Sequence, residues 1–292
     1  MLKNVIYSEE SAIQFLFQEG VIKMPSHCST CGNSGFSIDR KQWRCTKKDC
    51  RKKVSLFNGT FFSLSKLPIN EVIEFSYYWL AGIKSSQLGL ITGHSTNTIS
   101  NYSSYLRQLV ADSLDFEDLI IGGPGIIVEI DESKFGKNKY HRGHPVNGAW
   151  ILGGVERTEN RRIFLIEVPD RTAETLISII KRYVREGSII ITDCFSSYNN
   201  LHQYYDHFQV NHSIEFVDSE TGAHTNTIEG TWNAIKYRIS PRNRTSSINK
   251  DGEITNSAID EFLLEFQWRR KNVSNLRLRK GFLDALKTVF YI

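Results

Sequence analysis

Two apolar runs, each ending at an aspartate, constrain the fold of this chain most strongly. Residues 126–130 (IIVEI) precede Asp131, and residues 189–192 (IIIT) precede Asp193. Short runs rich in β-branched residues predict buried strands. We therefore expect both aspartates to lie at strand ends.

A third acid, Glu229, is predicted to lie on an amphipathic helix, because Ile228, Trp232 and Ile235 recur around it at helical spacing. Two acids at strand ends and one on a later helix can converge on one point. There they would repel one another unless cations were bound, and oxygen ligands of this kind suit Mg²⁺ or Mn²⁺. Two-metal phosphodiester chemistry requires such a constellation.

Each of these acids also has a simpler interpretation, since a single Asp at a strand end is usually a cap or turn residue. Three acids in the order strand, strand, helix are much harder to explain in that way. Glu129 and Glu132 flank Asp131 and complicate the assignment of the first position. Asn226, one helical turn before Glu229, can be a ligand, orient a ligand, or replace Glu229 as the third ligand.

The composition excludes several classes of protein. The chain has 292 residues, of which 40% are hydrophobic and 12% aromatic, as expected for a soluble globular protein. No apolar run is long enough to span a bilayer, and charges occupy the place where a signal peptide needs its apolar centre. We expect no membrane association and a reducing compartment, in which cysteines are thiols or metal ligands.

Four of the cysteines have the spacing of a tetrathiolate zinc site. Two residues separate Cys28 from Cys31, four separate Cys45 from Cys50, and thirteen lie between the pairs. Each pair can form a knuckle, with a hairpin between them. We expect one structural Zn²⁺, because so polar a segment cannot fold locally without the metal. The alternative, four unrelated buried thiols, does not explain the spacing. The fifth cysteine, Cys194, is interpreted as a small buried residue.

The same segment is strongly basic. Between Asp39 and Lys53 there are eight Lys or Arg residues against two Asp, with Trp43 among them. This excess favours contact with nucleic-acid phosphates. The candidate DNA-binding residues of this segment are Arg44, Lys47, Lys48 and Arg51.

Residues 85–108 have the outline of a helix-turn-helix. A short helix is predicted to end at Gly93, and Ser95 can cap the next helix. The residues that this second helix would offer to DNA are Thr96, Asn97, Ser100, Asn101 and Arg107. Three-helix packing without DNA gives the same periodicity, so both interpretations remain open.

After a Gly-Pro-Gly turn at 123–125 the pattern becomes rich in strands. Three candidate strands come first, at residues 125–131, 148–157 and 161–168. Alternating helices and strands follow, with a last short strand near 214–217. This order predicts an α/β fold, a mixed sheet with helices on its faces.

Longer motifs resemble those of DDE transposases, most closely the Merlin superfamily and its bacterial insertion-sequence relatives with an ISXO-like transposase domain. The motifs are DESKFGKNKYHRG (131–143), GAWILGGVER (148–157), TDCFSSY (192–198), VNHS (210–213), FVDSETGAHTNTIEGTW (216–232) and Lys236. The likeness extends upstream through the cysteine segment and residues 53–62, and downstream through residues 265–271. It thus covers nearly the whole chain.

The resemblance implies a ribonuclease H-like mixed sheet with flanking helices, preceded by a zinc ribbon and a helix-turn-helix-like module. It implies that Asp131, Asp193 and Glu229 are the catalytic triad and hold two Mg²⁺ or Mn²⁺ ions. The residues that it places in the site or near the DNA cut are His224, Thr225, Asn226 and Lys236. Some bacterial relatives have Asn as the third ligand, which keeps Asn226 open. A solvated, exposed Lys236 is the simpler alternative for that residue.

Three modules are expected: residues 1–64 with the N-terminal helix and zinc ribbon, residues 65–122 with the helical DNA-binding module, and residues 123–292 with the catalytic domain and C-terminal helices. The basic residues expected to bind the DNA backbone after Asp131 are Lys134, Lys137, Lys139 and Arg142.

The expected function is cut-and-paste transposition: binding of terminal inverted repeats, then strand cleavage and transfer into target DNA. Because two ends must be cut together, we expect at least a homodimer on double-stranded DNA. The location would be the nucleus in a eukaryote, which the likeness to Merlin elements favours, or the cytoplasm and nucleoid in a bacterium. The alternative is a domesticated or inactive transposase that acts as a DNA-binding regulator. A structure-specific nuclease would lack a reason for two end-recognition modules.

Overall fold

The computed structural model describes residues 2–136, 148–211, 224–246 and 258–291. In chain order the helices are α1 (Leu2–Ile6), α2 (Glu9–Gln18), α3 (Ile69–Leu80), α4 (Ser85–Thr92), α5 (Thr96–Asp112), α6 (Phe116–Leu119), α7 (Ala173–Tyr183), α8 (Asn226–Arg238), α9 (Ala258–Lys271) and α10 (Asn275–Thr288). The strands are β1 (Phe36–Asp39), β2 (Gln42–Cys45), β3 (Lys53–Ser55), β4 (Ile121–Gly122), β5 (Ile127–Lys134), β6 (Trp150–Glu156), β7 (Ile163–Val168), β8 (Val184–Arg185), β9 (Ile189–Asp193) and β10 (Asp206–Val210). Two 3-10 helices, Ser196–Gln203 and Pro241–Asn243, complete the described elements.

The chain forms two compact units, Met1–Ser113 together with Ser274–Ile292, and Leu114–Val273. This division differs from the three modules expected from the sequence, in which residues 123–292 form one domain. Helix α10 belongs to the first unit because it packs against α5. Its buried face, which includes Phe282, Ala285 and Leu286, supplies apolar surface to the N-terminal helices.

The first unit contains a three-stranded antiparallel sheet, β1–β2–β3, and the helices that follow it. Helix α4 ends at Gly93, whose φ of 71° is the left-handed conformation that glycine adopts without strain. Ser95 then caps α5, since its side chain accepts a hydrogen bond from the Thr98 amide at 3.2 Å. The helix boundaries therefore lie where the sequence places them, and the role of these helices in DNA binding remains a prediction.

The second unit is built on a five-stranded mixed sheet in the order β10-β9-β5-β6-β7. Strands β5, β6 and β7 form an antiparallel meander, while β9 runs parallel to β5 and β10 parallel to β9. The three meander strands and β9 were expected from the sequence. Strand β10 was not, and the strand expected near 214–217 lies outside the described residues.

The two faces of this sheet carry separate cores. One core contains Val128, Ile130 and Ile190 together with Leu176 and Ile180 of α7. The other lies beneath α8 and α9 and is formed by Phe135, Ile151, Val155, Ile163, Leu165, Ile228, Trp232, Ile235 and Leu263. Strand β5 is therefore covered on both faces of the sheet, and this packing fixes the positions of its polar residues.

A buried glutamine of α9 completes one edge of the sheet. The Gln267 side chain accepts a hydrogen bond from the Leu165 amide at 3.0 Å and donates one to the Leu165 carbonyl at 3.4 Å. Both backbone groups of Leu165 in β7 are thus satisfied as they would be by another strand. Across the described ranges, no helix combines the length and the apolar character needed to cross a membrane.

Candidate functional site

The first two candidate acids, Asp131 and Asp193, occupy matching positions on neighbouring parallel strands. In the register of β5 with β9, Glu129 pairs with Ile191, and each aspartate lies two residues further along its own strand. Because side chains alternate between faces, both aspartates lie on the face of Ile127 and Ile191, which pack together. Asp193 is the last residue of β9, as the sequence predicted. The expectation that Asp131 ends its strand is wrong, because β5 continues to Lys134 through its pairing with β6. The two aspartates nevertheless occupy matching positions in one sheet.

Three polar residues on one face of β5 bond to α8 in succession. Glu129 accepts from the amides of Thr227 (2.8 Å) and Ile228 (3.0 Å). Asp131 Oδ2 accepts from Trp232 Nε1 at 2.8 Å, and Ser133 Oγ accepts from Lys236 Nζ at 2.7 Å.

The regular spacing of these bonds has a geometric cause. Two residues of a strand advance about 6.7 Å and four residues of a helix about 6 Å, so the two elements stay in step over this length. The bonds set the position of α8 along β5.

The acids that flank Asp131 are each neutralised by an arginine. Glu129 is fully buried and receives Arg157 Nε at 2.6 Å, while the Arg157 Nη2 group bonds to the His224 carbonyl. On the opposite face, Glu132 receives Arg171 Nη1 at 3.1 Å and the Tyr198 hydroxyl at 2.5 Å. Within the described ranges, neither Asp131 nor Asp193 has an ion-pair partner.

The carboxyl group of Asp131 is therefore in an unfavourable electrostatic position when charged. The pKa of Asp131 is raised from 3.8 to about 7, mainly by burial and also by the negative charges of Glu132 and Asp193, while the Trp232 hydrogen bond opposes the shift. A cation between the two aspartates would remove this penalty. The carboxylate oxygens available are of the type that Mg²⁺ and Mn²⁺ bind.

Glu229, the third acid, lies on the exposed side of α8, where Thr225 Oγ1 is 3.4 Å from its Oε1 atom. In the part of the chain that the structure describes, the three acids are not gathered within the 4.8 Å that the ligand atoms of a compact metal site span. Asn226, the first residue of α8, is also exposed. The third-ligand position thus remains a prediction for Glu229, with Asn226 as its alternative.

The other residues expected near the site have different surroundings. His224 lies beside the buried Glu129, with 3.4 Å between Nδ1 and Oε1. Lys236 is half-buried, and besides bonding to Ser133 it lies 5.4 Å from the centroid of the Phe135 ring. Lys134 is exposed at the end of β5. The remaining expected DNA-binding residues of this region, Lys137, Lys139 and Arg142, lie outside the described residues.

The interpretation of Cys194 as a buried residue is wrong. The residue is exposed and directly follows the last residue of β9. The Phe195 amide bonds back to Asp193 Oδ1 at 3.0 Å and so holds the turn and the carboxylate together.

The four cysteines of the first unit meet as the spacing predicts. The Sγ atoms of Cys28, Cys31, Cys45 and Cys50 all lie within 4.8 Å of one another. The Cys28–Cys50 and Cys31–Cys45 distances are both 3.7 Å. The edge of a ZnS₄ tetrahedron with Zn–S bonds of about 2.3 Å is about 3.8 Å, so the cluster can hold a zinc ion.

The basic residues of this ribbon differ in their surroundings. Lys47, Lys48 and Arg51 are exposed. Arg44 is half-buried, and its Nη1 atom lies 3.8 Å from Asp39 Oδ2. The first three therefore have the accessibility that phosphate contact requires, whereas part of the Arg44 charge is balanced within the ribbon.

Sequence reasoning treated Trp232 only as a buried apolar residue and missed its contact with Asp131. The available signal was the indole N–H, which needs a hydrogen-bond partner when it is buried on a helix face. Gly153 was missed as well. It pairs with Asp131 in the sheet register, and an added Cβ there would lie 2.6 Å from Cη2 of Trp232. Only a glycine therefore leaves room for the ring.

Comparison with known proteins identifies the class to which this unit belongs. Residues 121–271 match the model of the ISXO2-like transposase domain, and this region contains the sheet, both aspartates and α8. The chain therefore belongs to the ISXO2-like transposase family, which confirms the resemblance seen in the sequence.

Two curated proteins are similar to this chain, and the first is named as transposase-like. The chain is 30% identical over 112 residues, 38% of its length, to an uncharacterized transposase-like protein of Haemophilus influenzae, and this match covers 82% of that protein. It is 24% identical over 221 residues, 65% of its length, to the male abnormal protein mab-31 of Caenorhabditis elegans, of which it spans half.

Proposed function

We propose that the protein is a cut-and-paste DNA transposase with a ribonuclease H-like core, in which Asp131, Asp193 and Glu229 are the catalytic acids. One observation carries the proposal: each acid flanking Asp131 has an arginine partner, whereas the half-buried Asp131 has none in the described part of the chain. Such a carboxylate destabilises the folded protein unless it binds a cation. The antiparallel meander followed by two parallel strands supports the assignment of the core.

The carboxylates of Asp131, Asp193 and Glu229 would hold two Mg²⁺ or Mn²⁺ ions, and metal bound there would supply activation of water and stabilisation of the leaving 3′ oxygen at the element end. The chain orients its own ligands for this task. Trp232 engages Oδ2 of Asp131, and the Phe195 amide engages Oδ1 of Asp193. Each aspartate thus retains one oxygen for a cation, and its orientation is set before the cation binds.

Helix α8 carries the third acid and its neighbours. Glu129 accepts hydrogen bonds from the first turn of α8, so the helix begins at a defined point over β5. Glu229 follows within the same turn, and Lys236 lies two turns later. We assign Lys236, Asn226 and His224 to the surroundings of the scissile phosphate.

Recognition of the element ends is assigned to the first unit. The exposed basic residues of the ribbon, Lys47, Lys48 and Arg51, would contact DNA phosphates. The exposed residues Thr96, Asn97, Ser100 and Asn101 near the start of α5 would face base edges. Two ends must be cut together, so a dimer or larger assembly is proposed. The location would be the nucleus in a eukaryotic host and the nucleoid in a bacterial one.

The test is metal-dependent cleavage of a duplex that carries the terminal repeat flanking the protein's own gene. Wild type is compared with Asp131→Asn and Asp193→Asn, and with Asp206→Asn as a control at an exposed acid of β10. We expect nicking at the repeat boundary with Mg²⁺ or Mn²⁺, lost in the first two variants and retained in the control. Tight repeat binding without cleavage by folded wild type would instead identify a DNA-binding regulator.

A further inference from the structure

Arg171, in the loop between β7 and α7, is held in place on several sides. Its guanidinium carbon lies 3.9 Å from the centroid of the Trp150 ring and 4.9 Å from that of Phe195. Nη1 donates to Glu132 Oε1 at 3.1 Å, and the Arg171 carbonyl accepts from Ser197 Oγ at 2.7 Å. The planar group therefore has one orientation, set by two rings and an acid.

This arginine lies beside the candidate catalytic acids. Its partner Glu132 directly follows Asp131 in β5, and Phe195 donates its amide to Asp193. The charge of Glu132 acts on Asp131 itself. Glu132 and Asp131 point to opposite faces of the sheet, but they are adjacent residues of β5.

The positive charge around Trp150 is greater than is required to neutralise Glu132. Lys134 Nζ lies 5.5 Å from the centroid of the same Trp150 ring, and within the described ranges it has no acidic partner. The Arg171 side chain is 37% exposed, and its guanidinium uses one N–H group within the described residues. Arg157, which neutralises Glu129, is 19% exposed and uses Nε and Nη2 internally. Arg171 is thus oriented but still available to a ligand.

We propose that Arg171 and Lys134, arranged around Trp150, form a phosphate-binding site for the backbone of duplex DNA beside the strand positions of Asp131 and Asp193. This inference rests on the proposed transposase function and adds Arg171 and Trp150 to the DNA-binding surface. An oriented guanidinium matches the planar, two-oxygen geometry of a phosphodiester, and the nearby ammonium group adds a second point charge.

The site predicts a specific change in the salt dependence of DNA binding. The probe is a fluorescent 30-bp duplex of arbitrary sequence, titrated at several salt concentrations in buffer without Mg²⁺ or Mn²⁺, so that cleavage plays no part. The first variant is the double substitution Glu132→Gln/Arg171→Gln, which leaves the net charge unchanged and leaves no buried acid without its partner. The second is Lys134→Gln. Each should reduce the slope of log K against log salt by about 0.9, the value for one phosphate contact.

The control is Arg185→Gln, since Arg185 is a half-exposed arginine of the same unit and is paired with Glu117 of α6. It should retain the wild-type slope. Unchanged slopes in both test variants, with melting temperatures showing that they are folded, would overturn the phosphate site and leave the transposase proposal intact. Failure of wild type to bind any duplex at low salt would overturn the proposed function instead.

Discussion

The indole Nε1 of Trp232 donates a hydrogen bond to Oδ2 of Asp131 over 2.8 Å. The bond connects a buried helix residue to an aspartate that has no counterion among the described residues, and Gly153, opposite Asp131 in the sheet, provides the space for the ring. Trp232 is therefore a positioning residue in our proposal, since it acts on the metal site through Asp131. Its effect should be measurable apart from catalysis.

Replacing Trp232 by Phe retains an aromatic ring but removes the N–H group. Because residues that orient a metal ligand contribute about 10–100-fold to affinity, we expect Mn²⁺ binding to weaken by that factor. Calorimetric titration of Mn²⁺ measures it. Trp268→Phe, at a buried tryptophan of α9, is the matched control and should bind Mn²⁺ as wild type does. Equal affinities in the two folded variants would contradict the role of Trp232.

Two glycines of the second unit should respond to alanine in opposite ways. A Cβ on Gly153 would lie 2.6 and 2.9 Å from two Trp232 ring atoms, so Gly153→Ala must displace the ring and should lower the stability of folding by about 1–3 kcal/mol. At Gly230 in α8 an added Cβ meets nothing within 4 Å. Gly230→Ala should raise stability by about 0.5–1 kcal/mol, because alanine favours helix. Urea denaturation of both variants measures these changes in stability. A stabilised Gly153→Ala protein would refute the close packing of Trp232 against Gly153.

Asp131 and Glu132 are adjacent acids whose neutralisation should have opposite effects on stability. The pKa of Asp131 is about 7 in the folded protein against 3.8 as the ordinary value. The folded state therefore binds more protons than the unfolded state between about pH 4 and 7, and stability falls as pH rises through that window. Asp131→Asn should be more stable than wild type at pH 8, by at most about 4 kcal/mol, and equal to it near pH 4.

Glu132→Gln should instead lose about 1–3 kcal/mol at pH 8, because it weakens the bonds to Arg171 and Tyr198. Both variants are unfolded chemically in buffer without Mg²⁺ or Mn²⁺. Added Mg²⁺ should then stabilise wild type more than Asp131→Asn. If Asp131→Asn proved less stable than wild type at pH 8 without the metal, Asp131 would have an unidentified cationic partner.

Metal removal should unfold the ribbon of the first unit. Elemental analysis of purified protein should find one zinc ion per chain, and Cys28→Ser should lose it, since a tetrathiolate site needs all four ligands. Limited proteolysis should then cut within residues 28–55. Cys194→Ser, at an exposed cysteine outside the cluster, is the control and should retain both zinc and protection. A zinc-free wild-type protein with a protected ribbon would reject the site.

The edge of β7 should depend on Gln267. Gln267→Met has a similar volume but leaves the Leu165 amide and carbonyl without their partner, so we expect a loss of about 1–3 kcal/mol in unfolding free energy. Gln108→Met removes an exposed glutamine of α5 whose side chain donates to Asp112 one helical turn along, and should change stability by less than about 0.5 kcal/mol. Equal effects of the two substitutions would show that the edge contact contributes nothing.

Local pattern was sufficient for much of the fold. Apolar runs predicted β5 and β9, two cysteine pairs predicted the ribbon, and Gly93 and Ser95 predicted where α4 ends and α5 begins. Each of these features depends on neighbours within a few residues in the chain. Strand β10 was missed because its sequence, DHFQV, is polar and its pairing with the parallel strand β9 is not visible locally.

The sequence by itself determined the family and most of the strands and helices, because strands, caps and cysteine knuckles are set by short-range periodicity and backbone preference. Only the tertiary structure decided which acids are neutralised. Trp232 lies 101 residues from Asp131, and Arg171 lies 39 residues from Glu132. Such pairings follow from how β5 packs between α7 and α8. Because both faces of β5 are covered, the neighbouring acids Glu129, Asp131 and Glu132 have three different electrostatic environments.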